Sequence, residues 1–173
     1  MWTMSHVKLI HKDPNSPTDD PGNFRMIALT SCIGKIYHLI PADRFDRYIK
    51  DNSILDTEVQ KAFLKSINGT LDHTFVVSEI MRHARLSRNT VHLTWFDLKD
   101  AFGSVSHDLI NHTLKRNKFP DEIIAYINNL YGSLQGQVVT PNWSSELFQF
   151  KRGVFQGDPL SPLIFTQVLH CSL

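Results

Sequence analysis

The chain carries its most informative stretch at residues 152–165, which read RGVFQGDPLSPLIF. Two glycines and two prolines give this stretch an unusual backbone, because glycine permits conformations that side chains forbid and proline fixes its own φ. Ser161 and Pro162 form an N-cap and first-turn pair, which predicts an apolar helix from there onward. Such a turn brings backbone N–H groups and the Gln156 amide close to a ligand. An ordinary capped loop without a ligand is the alternative.

A second informative stretch spans residues 91–102 and reads VHLTWFDLKDAF. Its first part, 91–96, alternates and is rich in β-branched and aromatic residues, which predicts a β-strand. An acid at the end of an apolar strand is held rigidly at a sheet edge, so the Asp97 carboxylate is a candidate ligand for a hard cation such as Mg²⁺. The alternative is that Asp97 only ends the strand or caps a turn.

A third candidate is Arg25, within residues 23–27 (NFRMI). Its planar guanidinium could grip a phosphate through two parallel hydrogen bonds. The alternative is a solvated surface charge, because most arginines in proteins are exposed.

The remaining segments predict an α+β fold. Turn-forming residues make 11–22 a loop. Apolar residues at helical spacing predict four further helices: from Thr30 or Ser31 to Lys50, about 72–86 with Phe75, Val76, Ile80 and Ala84 inward, about 108–116 after a Ser106 cap, and from Pro120 to Gly132. Pro41 should bend or break the first of these helices. Two short strands are expected at 137–140 and 147–151.

Composition limits the class of protein. The chain has 173 residues, of which 42% are hydrophobic and 20% charged, so it can form an ordinary globular core. No apolar run approaches the roughly 18 residues that cross a bilayer. Two cysteines and no signal-like N-terminus suggest an intracellular chain, nuclear or cytoplasmic. The nine histidines lack zinc-ligand spacing, and a net charge of +1 means that any nucleic-acid contact must be local.

Taken in order, these segments resemble the reverse transcriptase domain of retroelements without long terminal repeats. The resemblance covers about residues 5–173, nearly the whole chain. It rests on four stretches: NFRMIALTSCIGKIYHLIPADRF (23–45) as a fingers motif, QKAF with NGTLDH (60–63, 68–73) as the next, FDLKDAFGSVSHDLI (96–110) as the first palm motif, and RGVFQGDPLSPLIF (152–165) as the second. Met26 and Pro41 depart from the family pattern.

The resemblance implies a role for each matching residue. Asp97 would be the catalytic, metal-binding carboxylate, and Leu98 would offer a backbone group beside the metals. Phe102 would be the aromatic gate under the sugar, where its ring excludes a 2′-hydroxyl. Gln156 and Gly157 would contact the incoming nucleotide and the template base. Arg25 would reach the triphosphate, with Lys12 as a weaker candidate for the same role.

The resemblance also implies an activity, which is synthesis of DNA from an RNA template, a DNA primer and dNTPs. Two Mg²⁺ ions serve in the complete family enzyme, and such a pair requires several converging carboxylates. The family's aromatic-x-Asp-Asp motif and thumb are expected beyond Leu173, so this chain alone is predicted to be inactive. A non-catalytic nucleic-acid-binding or interaction module and a decayed retroelement copy are the alternatives.

The family fold implied is an incomplete right-hand polymerase with interleaved subdomains. Fingers are expected at about 1–90 and 119–152. A partial palm is expected at about 91–118 and 153–173.

Overall fold

The computed structural model describes residues 4–64 and 69–172, in a mixed α and β arrangement. Asn68 of the NGTLDH stretch and Leu173 lie outside the described residues. Four strands form one sheet in the order β2-β1-β3-β4. They are β1 (Met4–His11), β2 (Phe24–Leu29), β3 (Gln135–Val138) and β4 (Phe148–Gln149).

Strand β1 lies in the middle of the sheet and joins distant parts of the sequence. It pairs with β2 in an antiparallel register and with β3 in a parallel one, and Val7 lies opposite both Ala28 and Val138. Val7 and Ala28 are buried, so this face of the sheet is turned toward the protein interior. Strand β4 adds an antiparallel edge beyond β3.

The loop between β1 and β2 is held by its own turn-forming side chains. The Asp13 carboxylate accepts a hydrogen bond from the Asn15 amide, and the Asp20 carboxylate caps a short 3-10 turn at Pro21–Asn23. This confirms the loop predicted at 11–22. The two flanking strands, β1 and β2, were not predicted from the sequence.

Six helices accompany the sheet: α1 (Cys32–Asp51), α2 (Thr70–Ser87), α3 (Ala101–Ser104), α4 (His107–Arg116), α5 (Asp121–Gly132) and α6 (Ser161–Ser172). Helix α4 packs against α5 and α6, and α1 also contacts α6. The core between them includes the almost completely buried side chains of Ile110, Leu114, Ile127, Leu134, Leu160 and Ile164. The helices predicted at 108–116 and 120–132 and the helix after Ser161 are confirmed. No helix in the described ranges is long and apolar enough to cross a membrane.

Pro41 was predicted to bend or break α1, and the helix runs through it without a break. Proline removes one backbone donor, and the buried packing of Ala42, Phe45 and Ile49 on the following turns holds the helix together. The apolar residues whose helical spacing predicted α1 are not the residues that the first half of the helix buries. Gly34 and His38 are buried there, whereas the large apolar side chains of Ile33, Ile36, Tyr37 and Ile40 are exposed.

Helix α2 confirms the helix predicted at 72–86 but not its inward face. Phe75, Val76 and Ile80 are exposed, and Ala84 is the buried residue of the helix. The periodicity of a sequence identifies an apolar stripe, but it does not supply the neighbouring element that would cover it.

Residues 91–96 form no strand, so the strand predicted there is wrong. Every residue from 91 to 100 is exposed, including Trp95 and Phe96. Alternation favours a strand only where another backbone pairs with it, and none of the four described strands pairs with this segment. The strands predicted at 137–140 and 147–151 are found as β3, which has the predicted length but begins two residues earlier, and β4, which is shorter and lies within the predicted range.

Candidate nucleotide-binding site

The two stretches singled out in the sequence meet backbone to backbone. The Gly153 amide donates to the Val105 carbonyl at 2.7 Å, and the Val154 amide donates to the Phe102 carbonyl at 2.9 Å. Gly153 has φ +91°, and a Cβ there would lie 3.1 Å from the Gly103 Cα. Only glycine fits this crossing, because the neighbouring atoms belong to the opposing backbone.

The Phe102 ring is clamped by two other aromatic rings. It stacks on Phe165 of α6, with centroids 4.6 Å apart and planes at 21°, and it meets Phe63 edge-on at 6.1 Å. The ring is half-buried. Offset and edge-to-face arrangements of this kind stabilise a ring in one orientation. The Phe102 ring is therefore held in one orientation and is partly exposed.

The turn at Gln156–Gly157 lies against strand β2. Gly157 has φ +112°, and a Cβ there would lie 3.3 Å from the Ala28 carbonyl oxygen. Gln156 is half-buried and Gly157 exposed, whereas Phe155 and Asp158 on either side are buried. Gln156 and Gly157 are thus accessible at the surface, and the two residues that flank them are buried.

Arg25 is exposed on β2, opposite Ile10 of β1. It is three residues from Ala28, and successive side chains of a strand point to opposite faces, so Arg25 projects from the other face of the sheet. The ammonium group of Lys12, the weaker candidate, donates a hydrogen bond to the Gly22 carbonyl at 2.9 Å. The Gln156–Gly157 turn is thus close to the backbone of β2. The Arg25 side chain, however, points to the opposite face of the sheet from the Ala28 side chain.

Asp97 and Leu98 lie in an exposed, irregular segment, rather than at the end of a strand. Within residues 4–64 and 69–172, the Asp97 carboxylate makes no hydrogen bond, and no three His, Cys, Asp or Glu side chains converge as a metal site. Asp100 has φ +50°, and its carboxylate lies directly over Gly103 at the start of α3. The expected rigid carboxylate at a sheet edge is therefore absent from this described segment, because the supporting strand does not form.

Two tyrosines of α5 lie behind the turn, with Tyr126 half-buried and Tyr131 buried. Burial raises the pKa of Tyr126 to about 12. Burial also raises the pKa of Tyr131, whose hydroxyl lies 3.4 Å from the Ser161 hydroxyl at the start of α6. Both phenols are neutral at physiological pH and act as apolar surfaces with polar tips.

His38, for which no role was predicted from the sequence, pairs with Asp158 beneath the turn. One signal was present: His38 follows Gly34 and precedes Ala42 at helical spacing, so a polar side chain lies on the buried stripe of α1. Its partner is 120 residues away, and no local pattern connects the two.

Comparison with known proteins gives the family. The family model described as "Reverse transcriptase (RNA-dependent DNA polymerase)" matches residues 10–173. The chain therefore belongs to the reverse transcriptase family, which is the family of RNA-directed DNA polymerases.

Individual relatives place the chain among retrotransposon sequences. It is 34% identical over 169 residues to the "Retrovirus-related Pol polyprotein from type-1 retrotransposable element R2" of Nasonia vitripennis, covering 98% of this chain and 16% of that protein. It is 32% identical to the polyprotein of the type-2 element R2DM of Drosophila melanogaster, covering 86% of this chain and 14% of that protein. The resemblance to reverse transcriptases of elements without long terminal repeats is confirmed.

A further relative is the "Probable RNA-directed DNA polymerase from transposon BS" of Drosophila melanogaster, 25% identical over 173 residues, covering 98% of this chain and 19% of that protein. The chain thus spans less than a quarter of the length of each of these three relatives.

Proposed function

We propose that the chain supplies the fingers and the N-terminal part of the palm of an RNA-directed DNA polymerase, in an incomplete right-hand fold. The fingers would be about 1–90 and 119–152, and the partial palm about 91–118 and 153–173. The single sheet that joins 4–29 with 135–149 supports this interleaved division of the fingers. The packing of α4 against α6 supports the corresponding division of the palm.

The observation that carries the proposal is the backbone contact between Phe102–Val105 and Gly153–Val154. It brings a clamped aromatic ring and a glycine-containing turn into one structural unit. In the proposed role, Phe102 forms a wall under the sugar of the incoming dNTP, and a fixed ring there leaves no space for a 2′-hydroxyl. Gln156 and Gly157 contact the nucleotide and the template base.

The partners proposed from the family are an RNA template, a DNA primer and a dNTP. Arg25 is proposed to reach the triphosphate and Leu98 to offer a backbone group near it. Because Arg25 projects from the opposite face of β2 to Ala28, its role requires the triphosphate to pass along the edge of the sheet. Asp97 is exposed and accessible to a primer terminus.

The family's Mg²⁺ ions are a separate matter, because the described residues do not fit a pair of them. Among the predicted site residues, Asp97 is the one that carries a carboxylate, and no cluster of three metal-binding side chains exists in the described part of the chain. We therefore propose that this 173-residue polypeptide, by itself, binds a template–primer without extending it.

Primer extension on an RNA template, with Mg²⁺ and separately with Mn²⁺, tests this proposal when it is paired with binding measurements. We expect salt-dependent binding of an RNA–DNA hybrid and no added nucleotides. Asp97→Asn should leave hybrid binding unchanged. Extension that disappears in Asp97→Asn would contradict the inactivity, and a chain that fails to bind the hybrid at low salt would contradict the proposed binding of a template–primer.

One observation favours a second candidate, which is a non-catalytic nucleic-acid-binding or interaction module. Asp97 lies in an irregular exposed segment, and no group of three metal-binding side chains forms in the described residues. Hybrid binding in the presence of the complementary dNTP that Phe102→Ala and Gln156→Ala leave unchanged, in a folded protein, would favour this module, because the nucleotide-facing residues would then have no role.

A further inference from the structure

A buried pair, His38 and Asp158, joins helix α1 to the Gln156–Gly157 turn. The His38 Nδ1 contacts the Asp158 Oδ2, and each residue is only 5% exposed. The other oxygen of Asp158 accepts a hydrogen bond from the Leu160 amide at 2.9 Å, directly before α6 begins. Both carboxylate oxygens are therefore used, one by a distant helix and one by the entry to α6.

This pair anchors one end of the turn. The other end is Phe155, which is buried and meets the Phe150 ring edge-on at 4.7 Å. Between the two anchors, the Gln156 amide makes no hydrogen bond to any residue that the structure describes. The direction of the Gln156 side chain therefore depends on its two anchored neighbours.

Loss of the His38–Asp158 contact should change the conformation of the turn. A buried carboxylate is strongly unfavourable unless it is paired and hydrogen-bonded. Without His38, one oxygen of the buried Asp158 carboxylate loses its partner, so the side chain must find a new partner or move toward water. It lies one residue beyond Gly157, so either response changes the turn. The ring of Tyr126 meets His38 edge-on, with centroids 6.3 Å apart, and covers the pair from the side of α5.

We propose that His38 is a positioning residue that holds the Gln156–Gly157 turn in its nucleotide-facing conformation through Asp158. The inference rests on the proposed function in one respect, because it takes Gln156 as a side chain that contacts the nucleotide or template base. The link between α1 and the turn is a separate statement that can be measured without nucleotide.

Two substitutions separate the hydrogen bond from simple packing. His38→Leu removes the donor at similar volume, and His38→Asn keeps an N–H close to the Nδ1 position. His112→Leu, at an exposed histidine on α4, is the matched control. Amide hydrogen exchange is measured at Leu160, which donates to Asp158, with the buried Ile127 of α5 as an internal reference for global opening.

Affinity is measured in the same set of variants. The probe is a fluorescent RNA-template–DNA-primer hybrid, titrated with and without the dNTP complementary to the next template base. We expect His38→Leu to speed Leu160 exchange by about tenfold or more relative to Ile127, as loss of a buried hydrogen-bond partner implies, and to weaken the dNTP-dependent step by a similar factor. His38→Asn should restore both, and hybrid binding without dNTP should not change.

Three results would overturn the proposal: equal acceleration at Leu160 and Ile127, no rescue by His38→Asn, or unchanged dNTP affinity in His38→Leu. A native chain that shows no dNTP-dependent binding would refute the proposed function instead. In that case the exchange comparison alone decides whether His38 orders the turn.

Discussion

The contact between the two motif segments makes Gly153 a sharp test of the fold. In Gly153→Ala, the new Cβ would lie 3.1 Å from the Gly103 Cα and 3.2 Å from the carbonyl oxygens of Phe102 and Gly103. These are backbone atoms, so the clash is relieved only by separating the two segments. Their two hydrogen bonds, at 2.7 and 2.9 Å, would lengthen.

The expected loss follows from these two effects. An L side chain at φ +91° costs about 1–3 kcal/mol in backbone strain. Weakening two buried hydrogen bonds adds about 1–2 kcal/mol. We therefore expect Gly153→Ala to lower the free energy of unfolding by about 2–5 kcal/mol, a large fraction of the 5–15 kcal/mol typical of domains.

Urea denaturation followed by far-ultraviolet circular dichroism measures this change. Gly132→Ala is the matched control, because Gly132 ends α5 and a Cβ there meets nothing within 4 Å. It should be neutral or stabilising, by at most about 1 kcal/mol, since alanine favours the helix. If the free energy of unfolding of Gly153→Ala is less than about 1 kcal/mol below that of Gly132→Ala, the close crossing of the two segments does not exist in solution.

Two further predictions concern stability. Because burial raises the pKa values of Tyr126 and Tyr131, the unfolded chain loses their protons first as pH rises, and the free energy of unfolding should fall between about pH 10 and 12. The fall should be shallower in the double variant Tyr126→Phe/Tyr131→Phe, and equal slopes in urea titrations would contradict the burial. Pro41→Ala supplies the backbone donor that α1 lacks and should raise the free energy of unfolding by about 1–3 kcal/mol; an unchanged denaturation midpoint would count against a regular helix there.

Local signals predicted the helices well. Helix α4 carries its own cap, since the Ser106 hydroxyl accepts from the Leu109 amide, and α5 has apolar residues at helical spacing. These signals act within a few residues, so the local sequence is enough to predict each of these helices. The turn at Gln156–Gly157 was predictable for the same reason, because glycine and proline specify backbone conformation locally.

Long-range relations were not predictable in this way. The periodicity of α1 and α2 indicated apolar stripes, but Ile33 and Phe75 are exposed because no described element covers them. The strand predicted at 91–96 fails for a related reason, since a strand requires a pairing backbone and a sequence pattern cannot supply one. The position of Asp97 depended on that strand. The link between His38 and Asp158 joins residues 120 positions apart and leaves no periodic trace.

The close approach of Gly103 and Gly153 has a consequence for anyone who recombines this sequence with its relatives. The two backbones are so close at the crossing that no side-chain atom fits between them. The two segments must therefore be transferred together when sequences are recombined. A chimera that takes 97–106 from one parent and 152–161 from another should keep its function only when both parents share the same spacing at this point. Domain shuffling by laboratory evolution would therefore do best with exchange boundaries that transfer both segments together.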